Sequence, residues 1–225
     1  MTCSSHAADN LERIIMSEDI TRSCIDCGSC HCDGEPGRYP DFCATTKVNP
    51  ELVAQVAQLY IEDEENARVT QNAALVEAEN YCQMTRVEEI ADFAHRMGYE
   101  TIGIATCVGL IREARAAAAI FRSHGFQVYG IGCKVGAQPK TSVGIAPECE
   151  SVGVNMCNPI LQAKLLNERH TDLNVVIGLC VGHDSLFYKY SDALVTTLVA
   201  KDRVLAHNPC AALYQTQSYY SRLIK

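Results

Sequence analysis

The second half of the chain alternates between short apolar runs and amphipathic stretches. The runs TIGIATC, FQVYGIGC, LNVVIGLC and DALVTTLVA, which begin at residues 101, 126, 173 and 192, predict four strands. Between them, VGLIREARAAAAIFRSHG and PILQAKLLNERH have helical spacing, and a short helix is predicted around NPCAALY. Because strands that alternate with helices form parallel sheets with right-handed crossovers, residues 99–225 are predicted to be an α/β domain with a parallel sheet of about four strands covered by helices.

The preceding segment, residues 49–98, has a helical pattern without strands. Its apolar residues predict two or three amphipathic helices, with Pro50 at a first helical position and Thr85 and Glu88 in a capping-box pattern. Residues 1–48 are rich in cysteine and turn residues and have too few apolar residues for a core of their own. We therefore predict three segments with boundaries at 1–48, 49–98 and 99–225.

Composition and charge exclude several classes of protein. A chain of 225 residues that is 48% hydrophobic can bury a sizeable core. A net charge of −8 without a Lys or Arg run disfavours nucleic acid as a partner. The chain offers no run of about 18 apolar residues and no signal-peptide pattern, so we expect no membrane association and a cytoplasmic location. The sequence leaves the oligomeric state open.

The thirteen cysteines carry the strongest chemical signal. In a reducing compartment, dense cysteine indicates metal ligation or catalysis rather than a disulfide framework. Cys3, Cys82 and Cys210 have no close cysteine partner in sequence, and we interpret them as residues that pack like small hydrophobes.

Three of the predicted strands lead into a cysteine that is soon followed by glycine. These cysteines are Cys107, Cys133 and Cys180. Because the carboxyl ends of parallel strands form the ligand crevice, the three thiols are predicted to converge there, with Cys157 as the fourth member and Cys149 in reserve. Such a set would bind a 4Fe-4S cluster. The alternative is that the three cysteines are only buried in strands.

A second group of cysteines lies in the N-terminal stretch RSCIDCGSCHCDGEPGRYPDFC. Its candidate ligands are Cys24, Cys27, Cys32 and Cys43. Four thiolates suit zinc or a 4Fe-4S cluster, and the spacing does not choose between them. Cys30 extends the group toward a ferredoxin pattern, but the Cys-Pro pair of ferredoxins is absent, so Cys30 is interpreted as spare. His31 is either a replacement ligand or a solvated neighbour.

Several longer motifs together cover nearly the whole chain. They are C-x2-C-x4-C with YPDFC, CVGLIREA, GCKVG, MCNPILQAKLLNE, TDLNVVIGLCVGHDSLFYKYSDA and VAKDRVLAHNP. With them the sequence resembles a cysteine-rich family of mainly anaerobic bacteria and archaea, a domain of unknown function loosely called metal-binding. The resemblance implies metal binding in an anaerobic setting, with both cysteine groups named above as ligands. Cys30 and Cys149 are additions to the family pattern.

Polar residues of the kinds that active sites use flank the second cysteine group. His183 and Asp184 follow Cys180, Lys134 follows Cys133, and we predict these three polar residues to be catalytic. Lys201, Asp202, Arg203 and His207 lie near the end of the fourth strand. The alternative is that His183 and Asp184 cap the next helix and that residues 201–203 form a solvated turn. A P-loop and a G-x-G-x-x-G motif are both absent, so nucleotide chemistry has no support.

Two functions agree with these observations. The first is an iron–sulfur metalloprotein with two cysteine-ligated sites, a redox or Lewis-acid enzyme whose partner is a small-molecule substrate or a redox protein. In it the second site holds a 4Fe-4S cluster and the N-terminal site holds a 4Fe-4S cluster or zinc. The second is a non-catalytic protein that stores or senses zinc or another thiophilic metal. The flanking His, Lys and Asp residues favour the enzyme slightly.

Overall fold

The structure, a computed structural model, describes residues 21–29, 32 and 37–224. The chain divides into two compact units, with the boundary between Ala67 and Arg68. This boundary falls inside a helix, and the three predicted segments stay a prediction. Cys3, Cys30 and His31 lie outside the described residues.

The N-terminal unit consists of short helices. A single 3-10 turn spans Cys24–Asp26, and helices α1, α2 and α3 span Ala44–Lys47, Pro50–Glu62 and Glu64–Asn80, the last of which continues into the second unit. Asn49 caps α2, because its Oδ1 accepts a hydrogen bond from Glu51 N at 2.9 Å. Pro50 takes the first helical position as predicted, where its missing N–H leaves no bond unmade.

The C-terminal unit contains the predicted parallel sheet. Strands β1 to β4 span Thr101–Thr106, Gln127–Gly132, Leu173–Ile177 and Leu194–Val199. All three strand pairs are parallel, and the spatial order is β2-β1-β3-β4. The predicted α/β class is confirmed. The chain moves outward from β1 to β2 and then crosses back to β3, so the direction of winding reverses between β1 and β3, where open α/β sheets form their crevice.

Helices cover this sheet. They are α4 at Arg86–Arg96, α5 at Ile111–Ser123, α6 at Pro159–Asn167 and α7 at His183–Tyr190. The chain also has a short helix, α8, at Cys210–Leu213 and 3-10 turns at Val108–Leu110, Lys140–Val143, Pro147–Val152 and Ser221–Ile224. The predicted capping box at the start of α4 is present, with Thr85 N donating to Glu88 Oε2 at 2.8 Å. Over the described ranges, none of the helices combines the length and the apolar content that a membrane span requires.

The core lies between the sheet and its helices. All five residues of β3 are buried, as expected for a central strand that is covered on both faces. Phe121 of α5, Leu166 of α6 and Phe187 of α7 are fully buried against it. Burial of each such side chain contributes about 1.5–3 kcal/mol relative to exposure. The sheet is therefore a rigid base for the loops at its carboxyl edge.

At the other end of the strands, where they begin, Asp172 joins the loop before β3 to the start of β1. Its Oδ2 accepts hydrogen bonds from Glu100 N at 2.9 Å, Thr101 N at 2.8 Å and Thr101 Oγ1 at 2.7 Å. Partial burial raises the pKa of this carboxyl group, but the bonds from Thr101 and Glu100 outweigh that effect and hold the pKa below its ordinary value.

We expect Asp172→Ala to lower the free energy of unfolding by about 1–2 kcal/mol at neutral pH, because three bonds to a charged acceptor are lost. Since the folded pKa lies below the unfolded value of about 3.9, this stabilisation is present above that pH and is lost as the pH falls through the folded pKa. Urea titrations at neutral and acid pH measure the difference. Asp192→Ala, which removes an exposed carboxylate before β4, is the control. Equal stability of Asp172→Ala and the parent protein at neutral pH would contradict this role.

Candidate functional site

The four cysteines of the second group lie on loops that leave the sheet or enter a helix. Cys107 follows β1 directly, Cys133 follows β2 directly, and Cys180 lies three residues after β3. Cys157 immediately precedes Asn158, the residue that caps α6. Cys107 and Cys133 are 8% and 2% exposed, whereas Cys157 and Cys180 are half-buried. Because the strands are parallel, the first three cysteines follow strands that end at one edge of the sheet.

Three of the thiols form a hydrogen-bonded group with Cys133 at its centre. The pKa of Cys133 is strongly raised by its hydrogen bonds to Cys107 and Cys157 and by burial, so this residue keeps its proton. Hydrogen bonding from Cys133 is the main reason that the pKa of Cys107 falls to about 5 and that of Cys157 to about 4. The contacts with Cys133 thus favour the thiolate forms of Cys107 and Cys157 and the protonated form of Cys133.

Backbone N–H groups and a lysine stabilise this negative charge. In the 3-10 turn after β1, Val108 N donates to Cys133 Sγ at 3.4 Å and Gly109 N donates to Cys107 Sγ at 3.4 Å. Lys201 Nζ lies 3.4 Å from Cys107 Sγ. Donors and cations of this kind favour the thiolate form.

Cys180 has a different partner. Arg203 Nη2 donates to Cys180 Sγ at 2.9 Å. The loop that carries Lys201 and Arg203 is held by Asp202, whose Oδ1 accepts from Val204 N at 2.8 Å and whose N–H donates to His207 Nδ1 at 3.1 Å. The loop thus brings both cations to cysteine sulfurs, with Lys201 half-buried and Arg203 exposed to solvent in a turn.

Of the three predicted catalytic residues, His183 and Lys134 interact with Cys157, whereas Asp184 bonds within its own helix. His183 hydrogen-bonds to Cys157, and this contact raises the pKa of His183. Lys134 donates to Asn155 O, and its charge acts on both Cys157 and His183. Asp184 Oδ1 accepts from Ser185 N at 2.8 Å in the first turn of α7, so this carboxylate serves the helix start.

The thiols do not converge on one point in this conformation. Among residues 21–29, 32 and 37–224, no three His, Cys, Asp or Glu side chains are arranged closely enough to hold a metal ion. This holds for the N-terminal group too, in which Cys24 and Cys32 are exposed, Cys27 is half-buried and Cys43 is buried. Both ligand sets stay predictions.

The cysteines outside the two groups are exposed where the structure describes them. Cys149, the reserve ligand, is exposed. Cys82 and Cys210 are exposed as well, so the prediction that they pack as small hydrophobes is wrong. Cys82 lies in the turn after α3 with a φ of 58°, and Cys210 begins the short helix α8. Neither residue lies on a strand or on the buried face of a long helix.

The sequence patterns did not predict that Asn158 and Gln162 contact the segments that carry the cysteines. Asn158 N donates to Cys133 O at 2.7 Å, and the side chain of Gln162 bonds to carbonyl oxygens at the ends of β1 and β2. The Asn-Pro pair at 158–159 signals a helix start, but it does not reveal which loop the helix contacts.

Comparison with known proteins gives a family. Residues 43–198 match the family described as "Protein of unknown function (DUF1847)". The chain is also 44% identical over 173 residues to "Uncharacterized protein MJ0455" of Methanocaldococcus jannaschii, with 76% of this chain and 89% of that protein covered. No solved structure matches the chain. Since the match covers well over half of the chain, the protein belongs to the cysteine-rich DUF1847 family, as the resemblance implied.

Proposed function

We propose that the protein binds an iron–sulfur cluster at the carboxyl edge of its sheet and acts there on a small molecule as a redox or Lewis-acid enzyme. The ligands in this proposal are Cys107, Cys133, Cys157 and Cys180. The observation that carries it is that Cys107 and Cys133 follow neighbouring parallel strands and Cys157 precedes the helix whose cap bonds to Cys133 O, so that three separate loops carry thiols at the reversal of the sheet.

The chemistry of the donor set fits a thiophilic metal centre. All four side chains are sulfur donors, the set that iron–sulfur clusters require. Thiolates are the ligating form, and Cys107 and Cys157 already favour it at neutral pH. Cys180 accepts a hydrogen bond from Arg203, and a ligating sulfur can keep such a bond. Within the proposal, Lys201 and Arg203 offset the charge of the thiolates.

A bound cluster supplies electron transfer or a Lewis-acidic iron. The chain itself supplies the proton chemistry. His183 is half-buried and bonded to Cys157, a contact that raises its pKa and favours the protonated form, which can give a proton to a substrate. Lys134 adds a positive charge on the same side of Cys157. The partner in this proposal is a small-molecule substrate or a redox protein.

One contact favours a second candidate function. His183 touches Cys157, so Cys107, Cys133, Cys157 and His183 offer three sulfurs and one nitrogen. Three cysteines and one histidine are a common donor set for structural zinc, and a closed set of four leaves no position for a substrate. The alternative is therefore a zinc or other thiophilic-metal protein that stores or senses the metal without turnover.

Metal content of two variants separates these candidates. If a cluster is bound by four cysteines, Cys180→Ser loses or converts it, whereas His183→Ala keeps its iron. If zinc is bound by three cysteines and His183, the outcomes are reversed. Elemental analysis and visible absorption of anaerobically purified proteins give the result. Cys149→Ser, which removes an exposed thiol, is the matched control and should keep the parent's metal content. Loss of metal in neither variant would contradict both candidates.

We also propose that the N-terminal cysteines, Cys24, Cys27, Cys32 and Cys43, bind zinc or a second 4Fe-4S cluster as a structural or electron-relay site. A metal at this site supplies ordering free energy to a segment that is poor in apolar residues. Cys24 begins the 3-10 turn at Cys24–Asp26, and Cys43 caps α1, so the two ends of the segment each carry a ligand next to a helical turn.

We expect Cys24→Ser to make residues 22–48 sensitive to protease while the sheet stays resistant, because the metal no longer orders the segment. Limited proteolysis with mass mapping of the cuts measures this. Treating the parent protein with a chelator should reproduce the cuts, and Cys82→Ser, an exposed cysteine outside the group, should not. If Cys24→Ser resists protease as well as the parent protein, the N-terminal site has no structural role.

A further inference from the structure

Gln162, on helix α6, is a fully buried amide next to the thiol group. It is 0% exposed, and its Nε2 donates to Thr106 O at 3.2 Å and to Ile131 O at 2.7 Å. A side-chain amide nitrogen carries two N–H donors, so both are used here. Thr106 is the last residue of β1, and Ile131 is the penultimate residue of β2.

These carbonyl groups lie at the carboxyl ends of β1 and β2, where the chain leaves the sheet. Ala105 pairs with Ile131 and Thr106 pairs with Gly132 in the last rungs of the ladder. Beyond them the chain turns away at Cys107 and Cys133. A buried carbonyl at the end of a ladder needs another donor, and Gln162 supplies one to each strand. The amide thus clamps together the strand ends that lead into the two buried cysteines.

The same helix begins directly after Cys157 and contacts the Cys133 loop a second time. Its cap, Asn158, directly follows Cys157 and donates its N–H to Cys133 O at 2.7 Å. Gln162 N in turn donates to Asn158 O at 3.0 Å. The first turn of α6 is therefore bonded to the segments that carry Cys107, Cys133 and Cys157.

Burial of the Gln162 side-chain oxygen destabilises the fold, and the two hydrogen bonds of its nitrogen must offset this free energy. Within the part of the chain that the structure describes, Gln162 Oε1 is buried without a hydrogen-bond partner. An unsatisfied buried acceptor is destabilising, and an apolar side chain of the same size avoids that cost. The amide at this place is explained by what its nitrogen holds together, since core packing alone is served better by an apolar residue.

We propose that Gln162 is a positioning residue that sets the spacing of the Cys107 and Cys133 sulfurs and thereby the affinity of the site for metal. This inference rests on the proposed function for its metal, while the spacing of the thiols is a property of the metal-free protein. Residues that orient ligands from behind typically change metal affinity roughly 10- to 100-fold when replaced.

Gln162→Met tests the role, because methionine has nearly the same size and no N–H donors. In anaerobic titrations of metal-free protein with Co²⁺, we expect roughly 10- to 100-fold weaker binding and an altered thiolate-to-cobalt charge-transfer spectrum. The matched control is Asn174→Leu, since Asn174 is also a fully buried amide, lies in β3 and bonds to Ser191 Oγ at 2.8 Å. It should lose comparable stability and keep the parent's affinity for cobalt. Unchanged affinity in Gln162→Met overturns the link to metal.

A second readout needs no metal. Cys133 is 2% exposed, so it should react slowly with iodoacetamide in the parent protein. Release of the clamp in Gln162→Met should make this alkylation faster than it is in Asn174→Leu. Mass spectrometry measures the two rates. If Gln162→Met does not fold, Gln162→Asn, which withdraws the amide by one methylene, should show the same change. Equal alkylation rates in the Gln162 variant and the control overturn the positioning role. Faster alkylation in a protein whose parent gives no thiolate-to-cobalt absorption supports positioning and overturns the proposed metal function.

Discussion

The contact of the Cys133 thiol with Cys107 and Cys157 is the interaction on which the site depends. It requires three loops to meet, and the parallel sheet makes that meeting by ending β1 and β2 side by side while α6 delivers Cys157. The reversal of winding between β1 and β3 then leaves this edge open. The contact lowers the pKa of Cys107 and of Cys157 and so favours their thiolate forms, which are better nucleophiles and metal ligands than isolated buried thiols.

Positively charged side chains lie beside the sulfurs of this site. A buried anion is costly unless it is paired, and Cys107 Sγ has Gly109 N and Lys201 Nζ as partners, while Arg203 donates to Cys180 Sγ. Both cations come from the loop after β4, in which Ala206 and His207 have φ angles of 49° and 63°. Backbone in this left-handed region is strained for residues other than glycine and persists when surrounding bonds hold it. In a chain with a net charge of −8, this concentration of positive charge marks the edge as specialised.

Much of this architecture follows from local sequence pattern. The strands and helices of the C-terminal unit are signalled by periodicity, and the capping residues Asn49 and Thr85 act through bonds to neighbours a few positions away. The placement of Cys107 and Cys133 after strands was readable because a strand's carboxyl end fixes the edge at which the next residue lies. The contact of Arg203 with Cys180 and that of Gln162 with two strand ends were not readable, since each joins residues far apart in sequence. The exposure of Cys82 and Cys210 was mispredicted because burial depends on which face a turn presents.

The central claim is that Cys107, Cys133, Cys157 and Cys180 bind one metal centre. Anomalous diffraction from crystals grown anaerobically tests it most directly, because maps recorded at the iron and zinc absorption edges locate each metal and identify it. We expect an iron signal at the carboxyl edge of the sheet, bonded to all four sulfurs. Neither metal at this edge, with Cys133 still in contact with Cys107 and Cys157, would contradict the claim.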